Sequence, residues 1–217
     1  MNTTPHLIDS LVADAAPVRP LRPPLERTLT WMLIAGFILT LLGISHGFRP
    51  DIDTCLRDPL FLTGLAGSFA TAALAGGAAF TVSLPDRSRA WILLPLPALA
   101  LWMASIGYQC LTDWIRVGPG GVQLGEAATC FSLVLLTSIP LWVAMLVMLR
   151  HVAFLRDPAA AIAATLAVAA VAASALSLFH NVGASAMVLI WNFGATAVLV
   201  LFGSVFWNRV SSWVNPR

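Results

Sequence analysis

Long apolar runs separated by short polar segments constrain this chain more than any other feature. A helix that crosses a bilayer needs ~20 mostly apolar residues. Six runs approach or exceed that length: Thr30–Gly47, Phe61–Val82, Trp91–Cys110, Ala128–Leu149, Ala159–Phe179 and Ser185–Trp207. Inside a bilayer the backbone polar groups must be satisfied within the segment, so we expect each run to form a helix.

The composition of the chain agrees with a membrane protein. Hydrophobic residues make up 59% of the 217 residues and charged residues only 10%, whereas soluble domains carry about 25% charged residues. Too few polar side chains remain to cover a surface that faces water. The sequence therefore predicts an all-α integral membrane bundle of about six transmembrane helices. The run Ala159–Phe179 is rich in alanine, and small residues suit helix–helix packing better than lipid contact.

The distribution of arginine predicts the orientation of the bundle. All 12 basic residues are arginine, because the chain contains no lysine. If the N-terminus is cytoplasmic, nine of them lie on the cytoplasmic side: Arg19, Arg22, Arg27, Arg87, Arg89, Arg150, Arg156, Arg209 and Arg217. The other three lie on the opposite side: Arg49, Arg57 and Arg116. Short cytoplasmic loops carry the excess of basic residues, so both chain ends are predicted to be cytoplasmic.

Residues 1–27 form the one sizeable segment that is predicted to lie outside the membrane. Thr4 and Pro5 suit the start of a helix. The apolar side chains that follow share one stripe at helical spacing: Leu7, Ile8, Leu11, Val12 and Ala15. Prolines from Pro17 to Pro24 then predict an extended, semi-rigid strut. The predicted organisation is this N-terminal segment, a six-helix domain over residues 28–210 and a cytoplasmic tail over residues 211–217.

The apolar stripe of the N-terminal segment needs a surface to cover it, because a helix this short is marginal in water. It lies on the bilayer, packs on the chain's own inner loops, or binds in the groove of a cytosolic protein. Helices that lie on membranes usually carry basic residues on the polar face. This one carries Asp9 and Asp14, which favours a protein partner over anionic lipid.

Cysteine and histidine residues cluster toward the outer ends of the predicted spans. Cys110, Cys130, His46 and His180 lie at span ends, and Cys55 lies in an outer loop. Two interpretations stay open: small buried thiols and hydrogen-bonded imidazoles, or a disulfide, a redox switch or a soft-metal site. The chain has no C-x-x-C spacing that would support a metal site, and Cys110, Cys130 and His180 are the candidate ligands.

The sequence contains no pattern that predicts catalysis, a cofactor or direct nucleic-acid binding. We find no nucleophile–base arrangement, phosphate loop or paired carboxylates. The net charge is only +2 and the arginines are spread over short loops rather than gathered in one patch. The interiors of the spans lack the ionisable residues that ion-coupled transporters usually carry. A small transporter or an accessory subunit of a membrane complex nevertheless remains the alternative to a binding protein.

Seven stretches occur in an order that resembles a known family. They are His6–Asp14, Pro17–Pro24, Phe48–Asp51, Ser83–Arg87, Gly107–Trp114, Cys130 and Ser138–Leu141. In these stretches the chain resembles the six-span bacterial inner-membrane proteins called negative regulator of sigma F. These proteins are anti-sigma factors for extracytoplasmic-function sigma factors.

The resemblance implies that the cytoplasmic N-terminal segment holds such a sigma factor at the inner membrane. The partners would then be the sigma factor and the lipid bilayer, and envelope, redox or metal stress would release the sigma factor. The resemblance also implies sensing by cysteines near the outer face, which Cys110 and Cys130 match. His180 stands where the family pattern leads us to expect another cysteine, so it can ligate a metal but cannot form a disulfide.

Overall fold

The computed structural model describes residues 22–84, 86–117, 124–149 and 158–179, together with residues 4, 12 and 13. Of residues 109–117, 124–131 and 158 only the backbone is described. The described segments contain helices and no strand. They are α1 (Pro24–His46), α2 (Ile52–Cys55), α3 (Pro59–Val82), a 3-10 helix (Arg89–Leu93), α4 (Leu96–Val117), α5 (Leu124–Leu149) and α6 (Pro158–Phe179).

Five helical segments in the described part of the chain are long and apolar enough to cross a membrane. They correspond to the first five predicted spans, which confirms the prediction of an all-helical membrane bundle. The third of them, Arg89–Tyr108, joins the 3-10 helix to most of α4. The sixth predicted span, Ser185–Trp207, lies outside the described residues.

Prolines set where three of the helices begin. The helices α1, α3 and α6 begin at Pro24, Pro59 and Pro158. Proline lacks a backbone N–H, but the N–H groups in the first turn of a helix have no partner within the helix. The fixed φ of proline also suits a helix. For this reason α1 begins before Thr30, its predicted start, and includes the last four residues of segment 1–27. At the start of α3, Asp58 also accepts a hydrogen bond from the Leu60 N–H at 3.0 Å.

The third span differs from its prediction at both ends. A 3-10 helix precedes it, and α4 itself begins at Leu96, between Pro95 and Pro97, neither of which can donate a backbone hydrogen bond. At the other end α4 continues to Val117, seven residues beyond the predicted end of the span at Cys110. The sequence offers no helix-breaking residue before Gly118-Pro119, which explains the extension.

Helices α3 and α6 lie at the centre of the bundle and pack against each other. In the 18-residue apolar window of the span Ala159–Phe179, 67% of the residues are buried, the largest share among the five spans. Small side chains on both helices allow this close approach. The hydroxyls of Ser68 and Ser174 hydrogen-bond across the interface at 2.8 Å, and both side chains are buried. The alanine-rich run is therefore the central helix rather than a lipid-facing one.

Large apolar side chains lie on the outside of α1. Leu25, Leu29, Leu33 and Phe37 are 56–75% exposed. The opposite face, which includes Trp31, packs against the other helices. An exposed apolar stripe of this length on a soluble protein would be an aggregation or interaction surface. With serine, threonine and alanine inside and leucine and phenylalanine outside, the packing fits insertion into lipid.

The antiparallel helices give the bundle two ends. We call the end at Pro24, Val82 and Leu149 the root end, because the N-terminal segment enters the bundle there. We call the end at His46 and Phe179 the far end. Side-chain contacts between α1 and α5 at the root end, and between the loop after α1 and α6 at the far end, support this arrangement.

Candidate functional site

The described residues of the N-terminal segment are helical and exposed. They are Thr4, Val12 and Ala13. Val12 belongs to the predicted apolar stripe and is 69% exposed. Its side chain is therefore not covered by the described helices. The other stripe residues, Leu7, Ile8, Leu11 and Ala15, lie outside the described residues.

A buried arginine ties the first turn of α1 to the ends of two other helices. Arg27 lies in the first turn of α1 and is only 6% exposed. Its guanidinium group donates a hydrogen bond from Nη2 to the backbone oxygen of Met148 in the last turn of α5. The same group lies over the ring of Phe80, 4.7 Å from the ring centroid, near the end of α3. One side chain thus contacts the ends of two helices besides its own.

Helix dipoles favour a cation at this position. The carboxyl ends of α3 and α5 meet at the root end, and each carries partial negative charge on its last carbonyl groups. No salt bridge to Arg27 occurs among the described residues. Among the described residues, a helix-end carbonyl and an aromatic face stabilise the guanidinium group. Arginine is better suited to this planar contact than lysine.

Neighbouring side chains on α1 extend the contact into the bundle. Trp31 is fully buried, and its indole N–H donates to the Leu141 oxygen of α5 at 3.4 Å. Thr28 is also buried and lies against α3 beside Gly76 and Gly77. These glycines let α1 approach α3 closely. The first turns of α1 are therefore anchored, while its outer face remains open to the surroundings.

A second cluster fastens the loop after α1 to α6 at the far end. Arg49 donates two hydrogen bonds to the carboxylate of Asp51, each 2.7 Å long. The backbone N–H of Arg49 donates to the Leu178 oxygen at 3.2 Å, and its Nη1 donates to the Ser177 oxygen at 3.5 Å. The rings of Phe48 and Phe179 pack with their centroids 5.5 Å apart. We call this set of contacts the far-end latch.

Electrostatics keep the far-end latch charged and its neighbouring thiol protonated. The hydrogen bonds from Arg49 lower the pKa of Asp51 to about 2. The hydrogen bonds to Asp51 in turn raise the pKa of Arg49. Cys55 donates its S–H to Asp51 across 3.6 Å, and burial is the main cause that raises the pKa of this thiol. A thiol with a raised pKa is a weak nucleophile and a weak metal ligand at neutral pH.

The predicted sensing residues lie largely outside what the structure describes. The backbone carries Cys110 in the C-terminal half of α4 and Cys130 in the N-terminal half of α5. The alternating course of the helices brings both halves toward the far end. The side chains of these two residues and the whole of His180 are not among the described parts. The described residues contain no cluster of three metal-ligating side chains.

Arg27 was not singled out by the sequence analysis, which counted it only among the cytoplasmic arginines. A signal for it exists once α1 is started at Pro24. Arg27 then falls on the helical stripe of Trp31, Ala35 and Leu39, all of which are buried. A single charge in line with a buried apolar stripe indicates a residue that is satisfied inside the protein. In the sequence, Arg49 stands out only as one of the three arginines on the outer side and, with Asp51, as part of the stretch Phe48–Asp51.

Comparison with known proteins identifies one family. A family model described as negative regulator of sigma F matches residues 11–213. The match covers nearly the whole chain, including Val12, Arg27, the far-end latch and all three cysteines. No curated protein and no solved structure matches the chain.

Proposed function

The chain belongs to the negative regulator of sigma F family, and from this membership we propose that it is a membrane-anchored anti-sigma factor for an extracytoplasmic-function sigma factor. The family description supports a negative regulator of a sigma factor, which is a binding role rather than an enzymatic one. The bundle would hold the protein in the bacterial inner membrane, with both chain ends in the cytoplasm.

The observation that carries the binding mode is the exposure of Val12. This side chain belongs to the apolar stripe Leu7, Ile8, Leu11, Val12 and Ala15, and it is 69% exposed on a helical residue. An apolar stripe on a short helix is the usual ligand of a hydrophobic groove. A sigma factor whose groove is filled in this way cannot join RNA polymerase, so its target genes stay silent.

Release of the sigma factor requires the far end to influence the N-terminal segment. We propose that envelope, redox or metal stress acts on Cys110 and Cys130, with His180 as a further metal ligand. A disulfide between two cysteines needs Cα atoms about 4.4–6.8 Å apart, and an oxidising periplasm permits such a bond. Bridging or metal binding would favour one packing of α4 and α5 over another. Such a change of packing releases the sigma factor only if the two packings differ in their affinity for it.

Affinity capture tests the proposed function. The full chain and a variant that lacks residues 1–21, which keeps the whole of α1 and Arg27, are each reconstituted in nanodiscs and incubated with lysate of the source bacterium. Mass spectrometry then identifies what each retains. We expect a sigma factor on the full chain and none on the shortened variant. Recovery of no sigma factor by the full chain, or equal recovery by both, would contradict the proposal and favour a transporter or an accessory subunit.

A further inference from the structure

Three helix ends lie at the root end around Arg27: the start of α1 at Pro24, the end of α3 at Val82 and the end of α5 at Leu149. In the sequence, the N-terminal segment precedes the first of these ends, and residues 83–88 and 150–157 follow the other two. Phe80 and Met148 belong to the last turns of α3 and α5, and both contact the guanidinium group of Arg27. A relative movement of these two helix ends therefore changes both contacts of one side chain.

The connection from Arg27 to the N-terminal segment is short and stiff. The backbone N–H of Arg27 donates to the Pro23 oxygen at 3.3 Å. Pro23 itself has φ −57° and ψ 147°, the polyproline conformation. Such proline-rich chain behaves as a semi-rigid spacer rather than a flexible coil. From the prolines between Pro17 and Pro24 we therefore expect a rotation of the first turn of α1 to change the direction of the preceding segment.

The other described charged residues near the root end are exposed. Arg22 and Glu26 are exposed and flank the same turn. Arg87 is exposed as well, and its recorded ion pair is with Asp86, beside it in the chain. Among the described charged residues at the root end, Arg27 is the one that is buried. This singles out Arg27 for a role that a general surface charge cannot perform.

We propose that Arg27 is a positioning residue that couples the packing of α3 and α5 to the direction and mobility of the N-terminal segment. The proposal deepens the proposed function, since it supplies the step between a change in the bundle and release of the partner. The coupling is nevertheless a property of this chain alone and can be measured without any sigma factor.

Spin-label distances measure the coupling directly. Labels at Ala13→Cys and Ser88→Cys, both exposed positions, report the distance between the N-terminal segment and the turn after α3. The full chain is held in nanodiscs, with Cys55, Cys110 and Cys130 replaced by serine. We expect Arg27→Met to broaden the distance distribution at least twofold and Arg27→Lys to broaden it less. The matched control Glu26→Gln, which changes an exposed neighbour, should leave it unchanged.

A merely structural arginine would not transmit a distant change, so a second perturbation is added. Gly67→Ala strains the contact between α3 and α4, because the new Cβ would lie 3.1–3.2 Å from Trp102 atoms, which must give by a few tenths of an ångström. We expect Gly67→Ala to shift the distance between the two labels when Arg27 is present. In the Arg27→Met background, the same substitution should shift that distance by less than a third as much. An equal shift in both backgrounds, or an Arg27→Met distribution as narrow as that of the unmodified protein, would overturn the proposal.

Two further measurements separate folding and partner identity from the coupling. If Arg27→Met does not fold, as judged by helicity and elution volume, Phe80→Leu replaces it, because this change removes the aromatic face and keeps the arginine. An equal shift with and without Phe80→Leu, or a Phe80→Leu distribution as narrow as that of the unmodified protein, would then overturn the proposal. Failure of the full chain to capture a sigma factor would overturn the proposed function and leave the distance result standing. Capture together with unchanged distances would overturn the coupling alone.

Discussion

At the scale of single residues, the surroundings of a thiol set its reactivity. The Cys55 thiol donates to Asp51 and is partly buried. Asp51 has a folded pKa of about 2, below the ordinary value of about 3.9. Its contribution to stability is therefore present above pH ~4 and is lost only as the pH falls toward 2. The carboxylate beside Cys55 stays charged at neutral pH and does not favour a thiolate there.

Alkylation measures this effect at Cys55. Burial raises the pKa of the thiol, so the thiolate fraction at pH 7 is smaller than that of a free cysteine. We expect iodoacetamide to modify Cys55 at least about tenfold more slowly than an exposed Ser88→Cys control, with Cys110 and Cys130 replaced by serine. The rate at Cys55 should keep rising above pH 9. Equal alkylation rates for Cys55 and the control at pH 7 would show that the Cys55 thiol is not shielded by burial and does not have a raised pKa.

The proposed sensing role of Cys110 and Cys130 predicts a change in gene output. Both are replaced by serine, singly and together, and the output of the sigma-dependent genes is measured with and without oxidant or soft-metal stress. We expect the double variant to lose most of the induction while it keeps basal repression. Cys55→Ser is the matched control and should induce normally. Full induction in the double variant would remove these cysteines from the mechanism.

At the scale of helices, close approach between α3 and its neighbours depends on glycine. A Cβ at Gly67 would lie 3.1 Å from the Cβ and 3.2 Å from the backbone atoms of Trp102 on α4. Displacing backbone atoms costs more free energy than moving the end of a flexible side chain. A Cβ at Gly36 of α1, by contrast, would meet nothing within 4 Å. The same substitution therefore has different consequences at the two positions.

Gly67→Ala and Gly36→Ala form a matched pair. We expect Gly67→Ala to destabilise the bundle by ~1–3 kcal/mol, the usual penalty of overpacking. Gly36→Ala should be neutral or slightly stabilising, because alanine is the better helix former. Thermal unfolding in detergent, followed by circular dichroism, compares the two. A Gly67→Ala variant as stable as the unmodified protein would mean that α3 and α4 are not in contact there.

The position of a helix could be predicted from the sequence where one physical rule dominates. The alanine-rich run coincides with α6 because Pro158 starts it and because small side chains suit the interior it occupies. The true start of α1 was missed because Pro24 was assigned to an extended strut, although proline also suits the first turn of a helix. The Arg27 contact depended on α3 and α5 meeting at the root end. Such a contact between distant parts of the chain leaves no local pattern in the sequence.

At the scale of the whole molecule, the bundle has two ends that differ in what they hold. The root end carries the N-terminal segment and the Arg27 contacts. The far end carries the far-end latch and, by the course of α4 and α5, the segments that contain Cys110 and Cys130. A regulator that receives a signal on one side of a membrane and binds its partner on the other needs such a division.

Reporter fusions test the orientation that this division requires. The bias of nine arginines against three predicts cytoplasmic signals after Arg87, Arg156 and Arg217. Fusions near Asp53, Gly120 and Gly183 should give periplasmic signals. The fusion after Arg217 also tests the sixth span, since a periplasmic signal there would mean an odd number of spans and would contradict the six-helix organisation.

The central claim is that the apolar stripe of the N-terminal segment holds a sigma factor, and an affinity measurement tests it most directly. The captured sigma factor is titrated against the full chain in nanodiscs, unmodified or carrying Leu11→Asp or Ser10→Asp. An unpaired charge buried in the groove costs roughly 3–5 kcal/mol, so we expect Leu11→Asp to weaken binding by about 100-fold or more. Ser10 lies off the stripe, and Ser10→Asp should change the dissociation constant by less than about threefold. Undiminished binding by Leu11→Asp would show that the stripe is not the contact.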